Sequence, residues 1–292
     1  MMSRSTGCPP IFIFLSLLFL LPIIPVSRVA EAADQWFFAL QKQLVSDGFD
    51  DQRISRLYSS GSVDFDAKGV SLFFLHNESK LNYDQFLSPE YIQKTRQYLS
   101  THERIFLETE KNFGVEKEII AAIILIETRL GQYLGNRSVL TTLSTLASLE
   151  NPRPRAYLWN TLSKNRKISR KHFEKKADRR SVWAYQELTA FLTYAFRENL
   201  DPFSTVGSYA GAMGICQFMP SNILLHGEDG DLDGRIDPYT HADAIASIGA
   251  YLKHYGWFPG IEGEKAYQAI WYYNKSNYYV NTVLKVAELV KG

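Results

Sequence analysis

Residues 115–131 read VEKEIIAAIILIETRLG, and the run decides the fold. Its first turn is charged, Glu116-Lys117-Glu118, and eight apolar residues follow without interruption, Ile119 to Ile126. A helix that is apolar all round is a buried helix, not an amphipathic surface one. Glu127 comes directly after the run, so its carboxyl stands at the inner end of a core helix, where desolvation disfavours the anion and makes the group a proton donor near neutrality. From this segment alone, a buried glutamate paired with a cation such as Arg129 is an equally good reading.

Working outward, apolar positions recur at helical spacing over 35–46, 89–113, 181–198, 241–255 and 276–290, whereas alternating strand patterns are scarce. Gly114 and Gly131 bracket the central helix. Asn151-Pro152 with Pro154 reads as a loop, Asp201-Pro202 ends another helix, and Gly256 to Gly263 is a polar turn. No repeat appears. The expectation is a mainly α fold with little β structure, having a looser N-terminal helical subdomain over 33–88 and a main domain over 89–292.

The N-terminus carries Arg4, an apolar run from Ile11 to Val26 and then Ala30-Glu31-Ala32. That order predicts a signal peptide over 1–32, cleaved after Ala32, because the run is short for a spanning helix and holds Pro22 and Pro25. Export to the periplasm follows, with attachment to a membrane left open. The sequence holds 32 Lys and Arg against 31 Asp and Glu. Removing Arg4, Arg28 and Glu31 balances them, so charge gives no reason to expect a nucleic-acid partner. Cys216 is then the one cysteine left and no internal disulfide can form. Lys164 to Arg180 is locally basic, a solvated segment or a patch for an anionic polymer.

Three further stretches carry chemistry. In Gly207 to Ser221, small residues alternate with larger ones, which brings backbone close to a ligand or a second helix. Gln217 there offers both donor and acceptor to a sugar, and Ser208 lacks the spacing of a nucleophile elbow. Asp229-Gly230-Asp231-Leu232-Asp233-Gly234-Arg235 places carboxylates at loop positions 1, 3 and 5, glycine at 6 and a carbonyl donor at 7, which is the first half of a calcium loop. Thr240 stands where the closing glutamate belongs, and Asp243 is placed to close a longer loop. A plain acidic surface turn has the same composition. Tyr272 to Tyr279, with Asn274, has the flat rings and amides of a sugar platform, although tyrosines in number also fill cores.

Four motifs in series, Ile126 to Gly131, Ala210 to Gly214 with Gln217 to Pro220, the acidic loop ending in Asp243-Ala244-Ile245, and Tyr273 to Ser276, resemble the membrane-bound lytic transglycosylase B family over roughly residues 82–290. The resemblance implies a lysozyme-like fold and a peptidoglycan glycan strand as substrate; other cell-wall enzymes are open as partners, and a monomer is the expectation with the oligomeric state left open. It implies Glu127 as sole catalytic acid/base, and Ser208, Gln217, Phe218, Tyr273, Asn274 and Tyr279 as substrate contacts, with Arg153, Tyr157 and Tyr83 as looser matches. Asp229, Asp231, Asp233, the Arg235 carbonyl and Asp243 would hold a structural Ca2+. Departures are Leu130 in place of an aromatic, Pro154 in place of a second arginine with Arg155 as its substitute, and a stretch between Trp257 and Tyr273 too short for a β-rich subdomain. The implied reaction is non-hydrolytic. A hydrolytic muramidase using Asp201 or Asp237 as a second acid, and a silent glycan-binding protein, are the rival readings.

Overall fold

The computed structural model describes residues 26–59, 61–75, 82–162 and 168–292. The apolar run that suggested an export signal, and Lys164 to Lys167 of the basic segment, lie outside these residues apart from Val26. Among the described residues there are thirteen α-helices and one pair of two-residue strands. No described helix is long and apolar enough to cross a membrane.

Helix α6 (Lys117–Thr128) is the axis: every residue from Ile119 to Leu125 is buried. It packs most extensively on α13 (Asn277–Lys291), and also on α4 (Pro89–Thr101), α5 (Glu103–Phe113) and α11 (His241–His254). One apolar core runs from Phe37 in α1 (Val26–Ser46) to Val290 in α13. A second layer is formed by α7 (Val139–Ser148) against α9 (Arg170–Arg197), with α1 and α3 (Ala67–Leu75) packed on α7. Strands β1 (Arg137–Ser138) and β2 (Val206–Gly207) pair antiparallel, Arg137 opposite Gly207, and tie the start of α7 to the loop that follows α9.

Several expectations from the sequence need correction. The helix expected over 115–131 stops at Thr128, because Arg129, Leu130 and Gly131 take left-handed φ of 50°, 63° and 86° in succession. Two of these are not glycine, and such positions cost about 1–3 kcal/mol each. The Thr128 hydroxyl offsets part of that by donating to Ile124 O (3.2 Å) and Ile215 O (3.1 Å) and accepting from Gly131 N (3.0 Å). The helix expected over 89–113 is broken at His102 into α4 and α5.

Asn151-Pro152 and Pro154, expected in a loop, instead open α8 (Pro152–Thr161). Pro152 and Pro154 lie in its first turn, where the missing N–H groups have no partner to lose. Arg155 is no substitute for a substrate arginine: it turns inward, donating to Leu149 O (2.6 Å), Asp178 (2.5 Å) and Glu174 (3.3 Å), and so fastens α8 to α9. The basic segment from 170 onward forms the first three turns of α9 (Arg170–Arg197). The short stretch between Trp257 and Tyr273 forms α12 (Gly263–Tyr273).

Candidate active site

Glu127 is the penultimate residue of α6, half-buried where the helix opens to the surface. Its Oε1 accepts a 2.7 Å hydrogen bond from the hydroxyl of Tyr279, in the first turn of α13. Tyr279 is 1% exposed, and its ring lies parallel to Tyr273 (centroids 6.3 Å, 9°) and edge-on to Tyr83 (6.4 Å, 90°). Burial first, and the Glu127 charge second, hold the Tyr279 proton far above the usual phenol range, so the group stays a donor. Arg129 is not the partner expected in the structural reading of Glu127. Its guanidinium lies over Tyr133, 4.7 Å from the centroid, and reaches Gln85 at 3.4 Å.

The Gly207 to Ser221 segment forms a wall beside the end of α6, joined to it where the Thr128 hydroxyl donates to Ile215 O (3.1 Å). It doubles back on itself: Ser208 N donates to Ala212 O (2.8 Å), and Met213 N to Phe218 O (2.8 Å). The Ser208 Oγ accepts from Ala210 N (3.2 Å) and Ala212 N (3.0 Å), which leaves its O–H as an unspent donor. Gln217, at φ 50°, spends its amide N–H groups on Gly214 O (2.8 Å) and Leu134 O (3.4 Å), leaving the amide oxygen for donors on a ligand. Gly214 has φ 70°, and a Cβ there would collide with Pro238 O, the acceptor of Ile215 N at 2.8 Å. A side chain at 214 would therefore part the wall from the acidic loop behind it.

Phe218, expected as a substrate contact, is 2% exposed and packed on Tyr251 and Tyr273. It backs the wall and presents no face to the cleft. Tyr273 donates from its hydroxyl to Cys216 O at 2.5 Å, which joins the end of α12 to the wall. Asn274 follows it at the α12 terminus, half-exposed. Tyr157 and Arg153, on α8, are exposed and sit with Trp36 and Phe65: Tyr157 is 4.7 Å from Trp36 between centroids, and the Arg153 guanidinium lies 5.4 Å from Trp36. They form a separate aromatic surface. Thr128 and Tyr239 were missed by the sequence reading. Thr128 pins the end of α6 to Ile215, and the Tyr239 hydroxyl donates to Val206 O. A hydroxyl directly after the candidate acid was the available signal.

In the acidic loop, carboxylate oxygens of Asp229, Asp231 and Asp243 lie within 4.8 Å of one another. Asp243 is 1% exposed, accepts from Gly230 N (2.9 Å) and Asp237 N (2.6 Å), and has its pKa raised chiefly by burial, with Asp231 and Asp229 adding repulsion. Three carboxylates on one point, one of them buried, suit a hard cation with oxygen ligands. Asp233 stands outside the trio. Its Oδ1 caps Arg235 N (2.9 Å), and its own N–H bonds Asp229 and Asp231. The second acids expected for hydrolysis are engaged locally: Asp201 caps Phe203 N (3.1 Å) and Asp237 caps Tyr239 N (2.9 Å).

The transglycosylase SLT domain family matches residues 32–263. Membrane-bound lytic murein transglycosylase B of Escherichia coli K12 is 32% identical over 176 residues, which are 60% of this chain and 41% of that protein. The chain thus spans less than half the length of that relative. Two solved structures share the fold: E. coli lytic transglycosylase SLT35 in complex with calcium (TM-score 0.71, 23% identity, 89% of this chain and 92% of that one), and Pseudomonas aeruginosa SltB3 in complex with NAG-anhNAM-pentapeptide (TM-score 0.70, 22% identity, 90% and 80%). With the helical core, the half-buried Glu127 and the doubled-back wall already described, the match over most of its length makes this chain a member of the transglycosylase SLT domain family.

Proposed function

We propose that the protein is a lytic transglycosylase that cleaves the β-1,4 bond between MurNAc and GlcNAc in peptidoglycan without consuming water. The observation that carries the reading is the Glu127–Tyr279 pair at the open end of α6, beside the segment that carries Ser208 and Gln217. Glu127 protonates the glycosidic oxygen. As the bond breaks, the MurNAc acetamide stabilises the cation, held there by the Ser208 O–H. Glu127, now an anion stabilised by Tyr279, takes the proton of the sugar's own C6 hydroxyl as that oxygen closes on C1. The nucleophile is tethered to the reacting ring, so its effective concentration far exceeds that of a free solute.

Gln217, Asn274 and Tyr273 hold the strand beside the acid, while Arg153 and Tyr157 engage it further along. Phe218 and Tyr83 act by packing behind these groups. The acidic loop would hold a structural Ca2+ through Asp229, Asp231 and Asp243, with Asp233 and the Arg235 carbonyl shaping the loop around it. SLT35, of the same fold, was solved with calcium. Residues 1–32 would direct the chain to the periplasm, where the substrate lies.

The test is the mass of the products released from sacculi. Muropeptides ending in 1,6-anhydro-MurNAc, one water lighter than hydrolysis products and absent with Glu127→Gln, are expected. A majority of reducing ends would establish a hydrolytic muramidase instead, and no products from the wild type would leave only glycan binding.

A further inference from the structure

Lys176, Arg180 and Trp183 recur at i, i+4 and i+7 in α9 and share one face of that helix. The Arg180 guanidinium lies 4.6 Å from the ring centroid of Phe73 and 5.3 Å from that of Trp183, and these two rings are stacked at 5.7 Å and 23°. Lys176 Nζ lies 5.9 Å from the Phe73 centroid and 5.6 Å from Phe74, and donates to Phe74 O at 3.4 Å. Phe73 also meets Tyr209 edge-on at 6.2 Å. Tyr209 is the residue after Ser208, so this cationic face adjoins the wall of the cleft.

We infer that Lys176 and Arg180, set against Phe73 and Trp183 beside Tyr209, form a subsite for a carboxylate on the peptide stem carried by the glycan strand. The inference rests on the peptidoglycan reading above. The Arg180 guanidinium lies against both rings, and its N–H groups spend no hydrogen bond on the described residues, so they remain as a fork of the shape a carboxylate takes. Both cations are half withdrawn from water. Burial, and then the neighbouring cations Arg180 and Arg179 for Lys176 and Arg179 for Arg180, lower both affinities for their protons. Among the described residues neither has an ion-pair partner, because the acids of the same stretch are taken: Glu174 by Arg155 and Arg170, Asp178 by Arg155. A bound anion would relieve that repulsion.

The test compares soluble glycan strands that carry their stems with strands stripped of them by an amidase, together with calorimetric titration of the free stem peptide. Lys176→Gln/Arg180→Gln should raise KM on stem-bearing strands and weaken peptide binding by about tenfold, the scale of a charge-assisted fork. Turnover of stripped strands should not change. Arg180→Lys, which keeps a cation over the rings, guards against misfolding: it should retain the wild-type melting temperature yet lose most of the peptide affinity. An equal effect on both strands, or no effect on either, would overturn the subsite. So would vesicles of anionic phospholipid that bind through Lys176 and Arg180 while the peptide does not. If the wild type cleaves neither strand, the functional reading fails by itself, and the peptide titration still decides the subsite.

Discussion

Tyr279→Phe is the substitution that separates chemistry from scaffolding. It removes one oxygen, the donor of the 2.7 Å bond to Glu127, and leaves a ring that is 1% exposed and packed between Tyr273 and Tyr83. The phenol is 152 residues away in sequence from the carboxylate it serves. A hydrogen bond to a charged group contributes about 1.5–3 kcal/mol. Its weight falls on the step at which Glu127 gives up its proton and becomes an anion, so the loss belongs to the transition state more than to substrate binding. At about 1.4 kcal/mol per factor of ten, kcat should fall roughly 10- to 100-fold with KM little changed. The assay is the initial rate of muropeptide release from sacculi, read by chromatography with mass detection. The melting temperature should move by only a few degrees, since the ring packing is kept. A rate within twofold of wild type, or a change confined to KM, would refute the idea that Tyr279 stabilises the ionised acid.

Two further outcomes are expected. Calcium should raise the melting temperature of the wild type, by the equivalent of about 2.7 kcal/mol at a hundredfold excess over Kd, and Asp231→Ala should lose that response, since Asp231 is the exposed member of the trio; identical melts in calcium and in chelator would exclude the metal. Glu187 is 6% exposed and accepts from Ser221 N (3.0 Å) and Ser221 Oγ (2.8 Å), yet burial outweighs these bonds and raises its pKa above the ordinary 4.5. The folded state then holds that proton more tightly than the unfolded one, so its contribution to stability is complete below pH 4.5 and is lost as pH rises through the raised value. The melting temperature of Glu187→Gln relative to wild type should therefore climb as pH rises above the ordinary carboxyl value of 4.5, and a flat difference would place the shift elsewhere.

The sequence by itself determined what depends on neighbours along the chain. The apolar run before Glu127 forced a buried helix ending in a carboxyl, and Asp229 and Asp231 fell together because loop positions 1 and 3 converge in any turn of that kind. The central helices were readable wherever one face was buried and the other was wet, as over 89–101 and 276–290. Helix α7 was not, because it is buried on nearly every side and its Thr and Ser residues erase the period. The prolines of α8 read as breakers, since a proline's tolerance in a first turn depends on where the helix starts. Tertiary structure alone decided the partners. It brought Tyr279 to Glu127, sent Arg155 inward to Glu174 and Asp178, buried Phe218 behind the wall, and chose Asp243 over Asp233 for the acidic trio. Each of these turns on which side chain meets another across the core or across a loop closure, and spacing along the chain does not encode that.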